Sequence, residues 1–134
     1  MIHQLAFDVA HNYLSKSAIT IPTKLWAGGV SAEVDAYLDT GSTFCIFKRD
    51  YAEVIGLEVE SGTRLDIDTV TGVFTAYGHT LTLETLGLEF EATVYFAAHE
   101  GFTRNVLGRR GWLDRVRLGI VEYEGKLYMS RYED

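Results

Sequence analysis

The chain has 134 residues, with 12 lysine and arginine residues against 19 aspartate and glutamate residues and a formal net charge of -7. This length suits one ordinary domain with its own core, so we expect residues 1–134 to form a single domain. The acidic balance argues against nucleic acid as a partner, because phosphate binding draws its affinity from clustered lysine and arginine.

Cysteine content and hydropathy indicate the cellular environment in which the protein is expected to work. Cys45 is the only cysteine, which excludes an intrachain disulfide and favours a reducing, cytoplasmic environment. No run of 18 apolar residues occurs, so no membrane span is expected. The first residues lack the basic and then apolar order of a signal peptide. Their apolar spacing suits both a helix and a strand, and residues 1–17 are left open between these two, either of which could lie at an interface.

Alternation of apolar and polar residues dominates the rest of the chain and is typical of strands with one buried face. A hairpin is expected where Leu81 and Leu83 pair with residues 88–96 across a turn near Gly87. The other predicted strands are residues 19–26, 31–39, 64–69, 73–77, 118–123 and 126–129. Short strands at this spacing predict an all-β sandwich or barrel.

Two short helices are expected to interrupt the strands. Asp50 followed by Glu53 has the pattern of a capping box, and Gly56 suits the end of that helix. A second helix is predicted over residues 110–116.

The segment most indicative of chemistry is Asp39-Thr40-Gly41-Ser42, which directly follows the predicted strand 31–39. A carboxylate at the end of a buried strand can be a catalytic group or an aspartate that caps a turn. The chain contains no second copy of this segment.

Three blocks of the sequence, taken in order, resemble the retropepsin-like aspartic peptidases. The first is Leu38 to Ser42 with its apolar flanks. The second is the predicted hairpin around residues 71–74, which resembles the flap of that family. The third is Asn105-Val106-Leu107-Gly108-Arg109, which resembles its late apolar-Gly-Arg segment.

The resemblance implies a closed acid-protease β-barrel of about six strands that acts as a homodimeric aspartic endopeptidase without a cofactor. One chain supplies one Asp39, so a second subunit is expected to supply the other member of the dyad. The resemblance also implies that the catalytic loop is supported by Thr40, Gly41 and Ser42. It implies that the flap binds an extended peptide through Thr71, Gly72, Val73 and Phe74. The late segment of the family corresponds to Leu107, Gly108 and Arg109, which are expected to support the site. A hydroxyl at Ser42 is expected to donate a hydrogen bond to the Asp39 carboxylate.

Some residues depart from the pattern of the family. Its retroviral members pair the late arginine with an acidic residue close behind the catalytic triplet, whereas positions 43 and 44 are threonine and phenylalanine here. The alternatives are therefore a non-catalytic dimeric peptide-binding scaffold with the same fold, and an unrelated small β-barrel that binds a ligand. The four histidines show no metal-binding spacing, so no metal site is expected.

Overall fold

The protein is described by a computed structural model over residues 1–14 and 17–133. Within these ranges, the strands are β1 (Val9–Asn12), β2 (Thr20–Ala27), β3 (Val30–Leu38), β4 (Ile46–Phe47), β5 (Thr63–Thr69), β6 (Gly72–Thr85), β7 (Leu88–Ala97), β8 (Val106–Leu107), β9 (Val116–Val121) and β10 (Lys126–Arg131). The α-helix of the same ranges is α1 (Arg49–Val54). The predicted all-β class is confirmed.

Six of these strands form a closed ring. Strand β2 pairs with β3, β3 with β8, β8 with β4, β4 with β7, β7 with β6, and β6 returns to β2. Strand β5 lies outside the ring and pairs only with β6 among the described strands. The prediction of a closed barrel of about six strands is therefore confirmed.

The core of the barrel follows from the alternation that the sequence shows. On β3 and along most of β7 alternate side chains are buried, because successive side chains of a strand point to opposite faces of the sheet. The buried residues are Ala32, Val34 and Ala36 on β3, and Phe90, Ala92, Val94 and Phe96 on β7. The expected strands 73–77 and 81–83 prove to be parts of the single long strand β6.

A second sheet, in the order β1-β10-β9, packs against the barrel. The link between the two is polar as well as apolar: the indole Nε1 of buried Trp112 donates to Thr85 Oγ1 at 3.1 Å, and Thr85 Oγ1 in turn contacts Met129 Sδ at 4.0 Å. Within the N-terminal segment that the sequence left open, residues 9–12 form a strand paired with β10. Residues 15 and 16 of that segment lie outside the described ranges.

Helix α1 confirms the predicted helix but not its predicted cap. The N-cap is Lys48, which makes no side-chain cap hydrogen bond, and Asp50 lies inside the first turn. An acidic side chain at that position still favours the helix through the positive end of its dipole. Gly56 closes the helix as expected, with φ of +82° and its N–H donating to Glu53 O at 3.1 Å. No helix in the described part of the chain is long and apolar enough to cross a membrane.

The predicted helix over residues 110–116 is wrong. Only one 3-10 turn, Leu113–Arg115, forms there before β9 begins. Gly111 has φ of +99°, a left-handed conformation that cannot belong to a right-handed helix, and its N–H donates to Asp114 Oδ1 at 3.0 Å. The chain turns sharply at this glycine so that the next side chain, Trp112, is fully buried.

Candidate active site

Asp39 begins a tight loop at the end of β3. Its N–H donates to Leu107 O at 3.1 Å, which anchors the residue to β8. Its carboxylate Oδ1 accepts from Gly41 N at 3.0 Å, and its carbonyl accepts from Ser42 N at 3.2 Å. A Cβ on Gly41 would stand 3.2 Å from the same Oδ1, so a side chain there would press on the carboxylate. The loop thus holds the Asp39 side chain in a fixed orientation.

The late segment around Gly108 supports this loop from behind. Arg109 N donates to Ser42 O at 2.9 Å, and Arg110 N donates to Thr43 O at 2.8 Å. A Cβ on Gly108 would lie 2.2 Å from the carbonyl oxygen of Phe44 and 2.7 Å from that of Ser42. Two backbones can approach this closely only where one of them carries no side chain.

A cleft of about 590 Å³ lies between the Asp39 loop and the β5–β6 hairpin. Phe74 on β6 and Phe102 on the loop before β8 both line it, with their ring centroids 5.3 Å apart. Among the residues that the sequence singles out, Asp39, Gly41, Ser42 and Phe74 line this cleft. The structure therefore brings three of the four catalytic-loop candidates and one flap candidate to a common space.

The predicted hairpin forms, and its tip is a two-residue turn between Thr69 and Gly72. Thr69 Oγ1 donates to Gly72 O at 2.8 Å, and Gly72 has φ of +133°, which favours glycine. Thr71, Gly72 and Val73 line a neighbouring hollow of about 410 Å³ and not the Asp39 cleft. Their role in substrate binding stays a prediction.

The predicted hydrogen bond from Ser42 to the Asp39 carboxylate is absent, and this expectation is corrected. The Ser42 hydroxyl donates to Phe44 O at 2.7 Å. A hydroxyl has a single proton to donate, and the carbonyl two residues ahead is within easy reach of the turning chain. Ser42 therefore stabilises the loop backbone in the described chain.

The remaining predicted residues occupy different surroundings. Thr40 is exposed on the loop, while Leu107 is fully buried in β8. Arg109 is exposed beside Thr43, and no carboxylate of the described residues lies within ion-pair distance of its guanidinium. The departure noted in the sequence at positions 43 and 44 thus leaves this arginine without an acidic partner in its own described chain.

Sequence reasoning missed several charged residues of the cleft. Asp66 and Asp68 line it from the hairpin, and Arg104 lines it from the loop before β8. A hydrogen bond from Thr75 Oγ1 to Asp66, together with one from Arg64, lowers the pKa of Asp66, so this carboxyl keeps its charge further into acid. The position of Arg104 just before Asn105-Val106-Leu107 could have indicated that it lies near the site. Exposed loop residues, however, show no periodicity from which their position could be predicted.

The described residues hold no group of three or more histidine, cysteine, aspartate or glutamate side chains suited to a metal ion. Cys45 is fully buried, and burial raises the pKa of its thiol to about 12. Its Sγ accepts from Gly108 N at 3.4 Å. The thiol thus belongs to the packing behind the Asp39 loop.

No protein-family model matches the chain, and no curated protein is significantly similar to it in sequence. Solved structures are similar to it in shape. A retropepsin-like aspartic protease from Rickettsia conorii superposes with a TM-score of 0.66 and 17% identity, covering 91% of this chain and 97% of that one. EIAV protease complexed with the inhibitor HBY-793 superposes with a TM-score of 0.57 and 16% identity, covering 74% of this chain and 88% of that one. The chain has the fold of the retropepsin-like aspartic proteases.

Proposed function

We propose that this protein is an aspartic endopeptidase that hydrolyses peptide bonds with water activated by two Asp39 side chains, one from each subunit of a homodimer. The observation that carries the proposal is the position of Asp39, held by backbone hydrogen bonds at the edge of a cleft covered by a hairpin. The fold shared with structures that are proteases by name supports it.

The chemistry needs two carboxylates that share one proton. The ionised carboxylate accepts a proton from the attacking water, while the protonated one donates a hydrogen bond to the carbonyl of the bond to be broken. Two like charges in close contact disfavour double ionisation, which keeps the shared proton in place. The same pair then delivers a proton to the leaving nitrogen. No metal is required for these steps.

A two-fold axis beside the Asp39 loop would complete this dyad. Thr40 and Gly41 are both exposed in the described chain, so they are available to the loop of a second subunit. Arg109 and Arg110 are exposed directly behind the same loop and offer two cations to an acidic partner on the other subunit. A cytoplasmic location is part of the proposal and is consistent with the free, buried thiol of Cys45.

The substrate in this proposal is a peptide bound as an extended strand between the loop and the hairpin. In that mode backbone hydrogen bonds hold the peptide, and alternate side chains enter pockets. The pair formed by Phe74 and Phe102 provides an apolar wall for one such side chain.

Cleavage of a mixed peptide library at several acidic pH values tests the proposal, read out by mass spectrometry. The wild type is expected to cleave and Asp39→Asn is expected not to. Asp50→Asn is the matched control, because Asp50 is an exposed aspartate on α1 and outside the cleft. Cleavage that survives Asp39→Asn would contradict the assignment of the catalytic group.

Light scattering on the same samples tests the dimer, whose mass should be about twice the 15.0 kDa of the chain. A protein that stays monomeric at high concentration contradicts the dyad. The alternative, a dimeric peptide-binding scaffold, is favoured by Arg109, which has no acidic partner among the described residues. It predicts a dimer that binds library peptides without cleaving them.

A further inference from the structure

An arginine is fixed on the wall of the cleft close to Asp39. The guanidinium carbon of Arg104 stands 4.8 Å from the centre of the Tyr37 ring, a cation–π distance. The backbone beneath it is held as well, since Tyr37 N donates to Asn105 O at 2.8 Å and Lys48 N donates to Asn105 Oδ1 at 2.9 Å. Both sides of the stacked pair are therefore anchored to the barrel.

Arg104 borders the same cleft as Asp39. Tyr37 and Asp39 are two residues apart in extended chain, which puts them on the same side of the strand about 7 Å apart. Arg104 lines the cleft together with Asp39. Arg104 and Asp39 therefore border the same space, so a peptide bound beside Asp39 also passes Arg104.

The charge of Arg104 is not neutralised in the described chain. It is exposed, and no carboxylate of the described residues lies within ion-pair distance of it. The acidic groups across the cleft are Asp66 and Asp68 on the hairpin, and Asp66 already accepts hydrogen bonds from Thr75 and Arg64. A stacked cation that has no acidic partner among the described residues, on the wall of a cleft, is available to a ligand.

We propose that Arg104 is a specificity residue that binds the carboxylate of a glutamate or aspartate side chain next to the bond that is cleaved. The inference rests on the proposed function and adds the substrate class to it. An arginine fork accepts a carboxylate through two parallel hydrogen bonds. Stacking on Tyr37 limits the conformations of the long side chain before binding, so less entropy is lost when the carboxylate arrives.

Profiling one defined peptide library in two ways tests this assignment, at about pH 6 so that glutamate is ionised. Cleavage sites are read by mass spectrometry with active protein, and retained peptides are read after capture on immobilised Asp39→Asn protein. Acidic residues are expected to be enriched roughly tenfold over glutamine beside the cleaved bond and in the captured peptides, the effect of a hydrogen-bonded ion pair.

Three variants make the test specific. Arg104→Leu should abolish the enrichment, and Arg104→Glu should replace it with enrichment of lysine and arginine. Arg115→Leu is the matched control, because Arg115 is also exposed and stacked on an aromatic ring, 5.2 Å from the centre of Phe90, but lies outside the cleft, where it donates to Glu91 O. It should leave the enrichment unchanged.

The outcomes separate this inference from the proposed function. Cleavage without acidic enrichment, or with enrichment that survives Arg104→Leu, overturns the role of Arg104 and leaves the peptidase standing. Capture of acidic peptides without cleavage supports the role of Arg104 and contradicts the peptidase. Equal loss of all peptides in Arg104→Leu and Asp68→Asn would mean that Arg104 holds the hairpin in place, and this would overturn the inference. Failure of the wild type to bind or cleave any peptide would also overturn it.

Discussion

The close approach of Gly108 to the Asp39 loop gives the strongest test of how this loop is supported. In Gly108→Ala the new methyl group would stand 2.2 Å from the Phe44 carbonyl oxygen and 2.6 Å from its carbon. Both are backbone atoms, so no side-chain rotation can relieve the overlap. The backbone must move, and this also strains the contact of Gly108 N with Cys45 Sγ at 3.4 Å.

The size of the effect follows from this geometry. Overpacking of a filled interior costs about 1–3 kcal/mol, and an overlap with fixed backbone belongs at the upper end of that range. An entropy of unfolding of about 2.1 cal/mol/K per residue gives about 280 cal/mol/K for the chain. A loss of about 3 kcal/mol in the free energy of unfolding therefore lowers Tm by about 11 °C.

Thermal unfolding followed by circular dichroism measures this shift. Gly101→Ala is the matched control, since no atom lies within 4 Å of a Cβ at Gly101 and its φ is not in the left-handed region. It should change Tm by less than about 2 °C. Equal Tm values for the two variants would refute the argument that the late glycine is required by contact with the Asp39 loop.

Three further results are expected from the described contacts. Thr85→Val removes the acceptor of the Trp112 indole N–H, and an unsatisfied buried donor should cost about 1–3 kcal/mol in urea unfolding, whereas an unchanged midpoint would contradict this. The buried Cys45 thiol, with its pKa raised to about 12, should resist alkylation at pH 8 in the native protein and react quickly in denaturant, and equal rates would disprove its burial. Thr75→Val should raise the pKa of Asp66, because the hydroxyl favours its charged form. In this variant the midpoint of an NMR titration of Asp66 should therefore move towards neutral pH. In the wild type the lowered pKa stabilises the folded hairpin at pH values above the pKa of Asp66 in the unfolded chain, and this stabilisation is lost as the pH falls through the pKa in the folded chain.

The sequence was informative wherever the structure depends on local pattern. Strand β3 follows from alternation alone, and the hairpin tip follows from a glycine that adopts φ of +133° at Gly72. The all-β class and the position of Asp39 at a strand end could be predicted because each depends on patterns within about ten residues. The likeness of three ordered blocks to one family then supplied the closed topology.

Features that depend on distant parts of the chain could not be predicted. Strand β1 exists because it pairs with β10, at the other end of the sequence, and its own residues suit a helix equally. The second helix fails because burial of Trp112 outweighs the helical pattern around it. The stacking of Arg104 on Tyr37 joins residues that only the folded chain brings together. The Ser42 hydroxyl has a local partner, Phe44 O, but the sequence does not decide between this acceptor and the Asp39 carboxylate.

The anchoring of Asp39 to Leu107 has a consequence for the protein during its synthesis on the ribosome. Strand β8 completes the barrel by lying between β3 and β4, so the Asp39 loop has no backing until Leu107 and Gly108 have been synthesised and have left the ribosome. A nascent chain that ends before this point carries the whole Asp39-Thr40-Gly41-Ser42 segment and still has no oriented carboxylate. Under the proposed function, each growing chain is inert towards its neighbours until residues 107 and 108 have been synthesised.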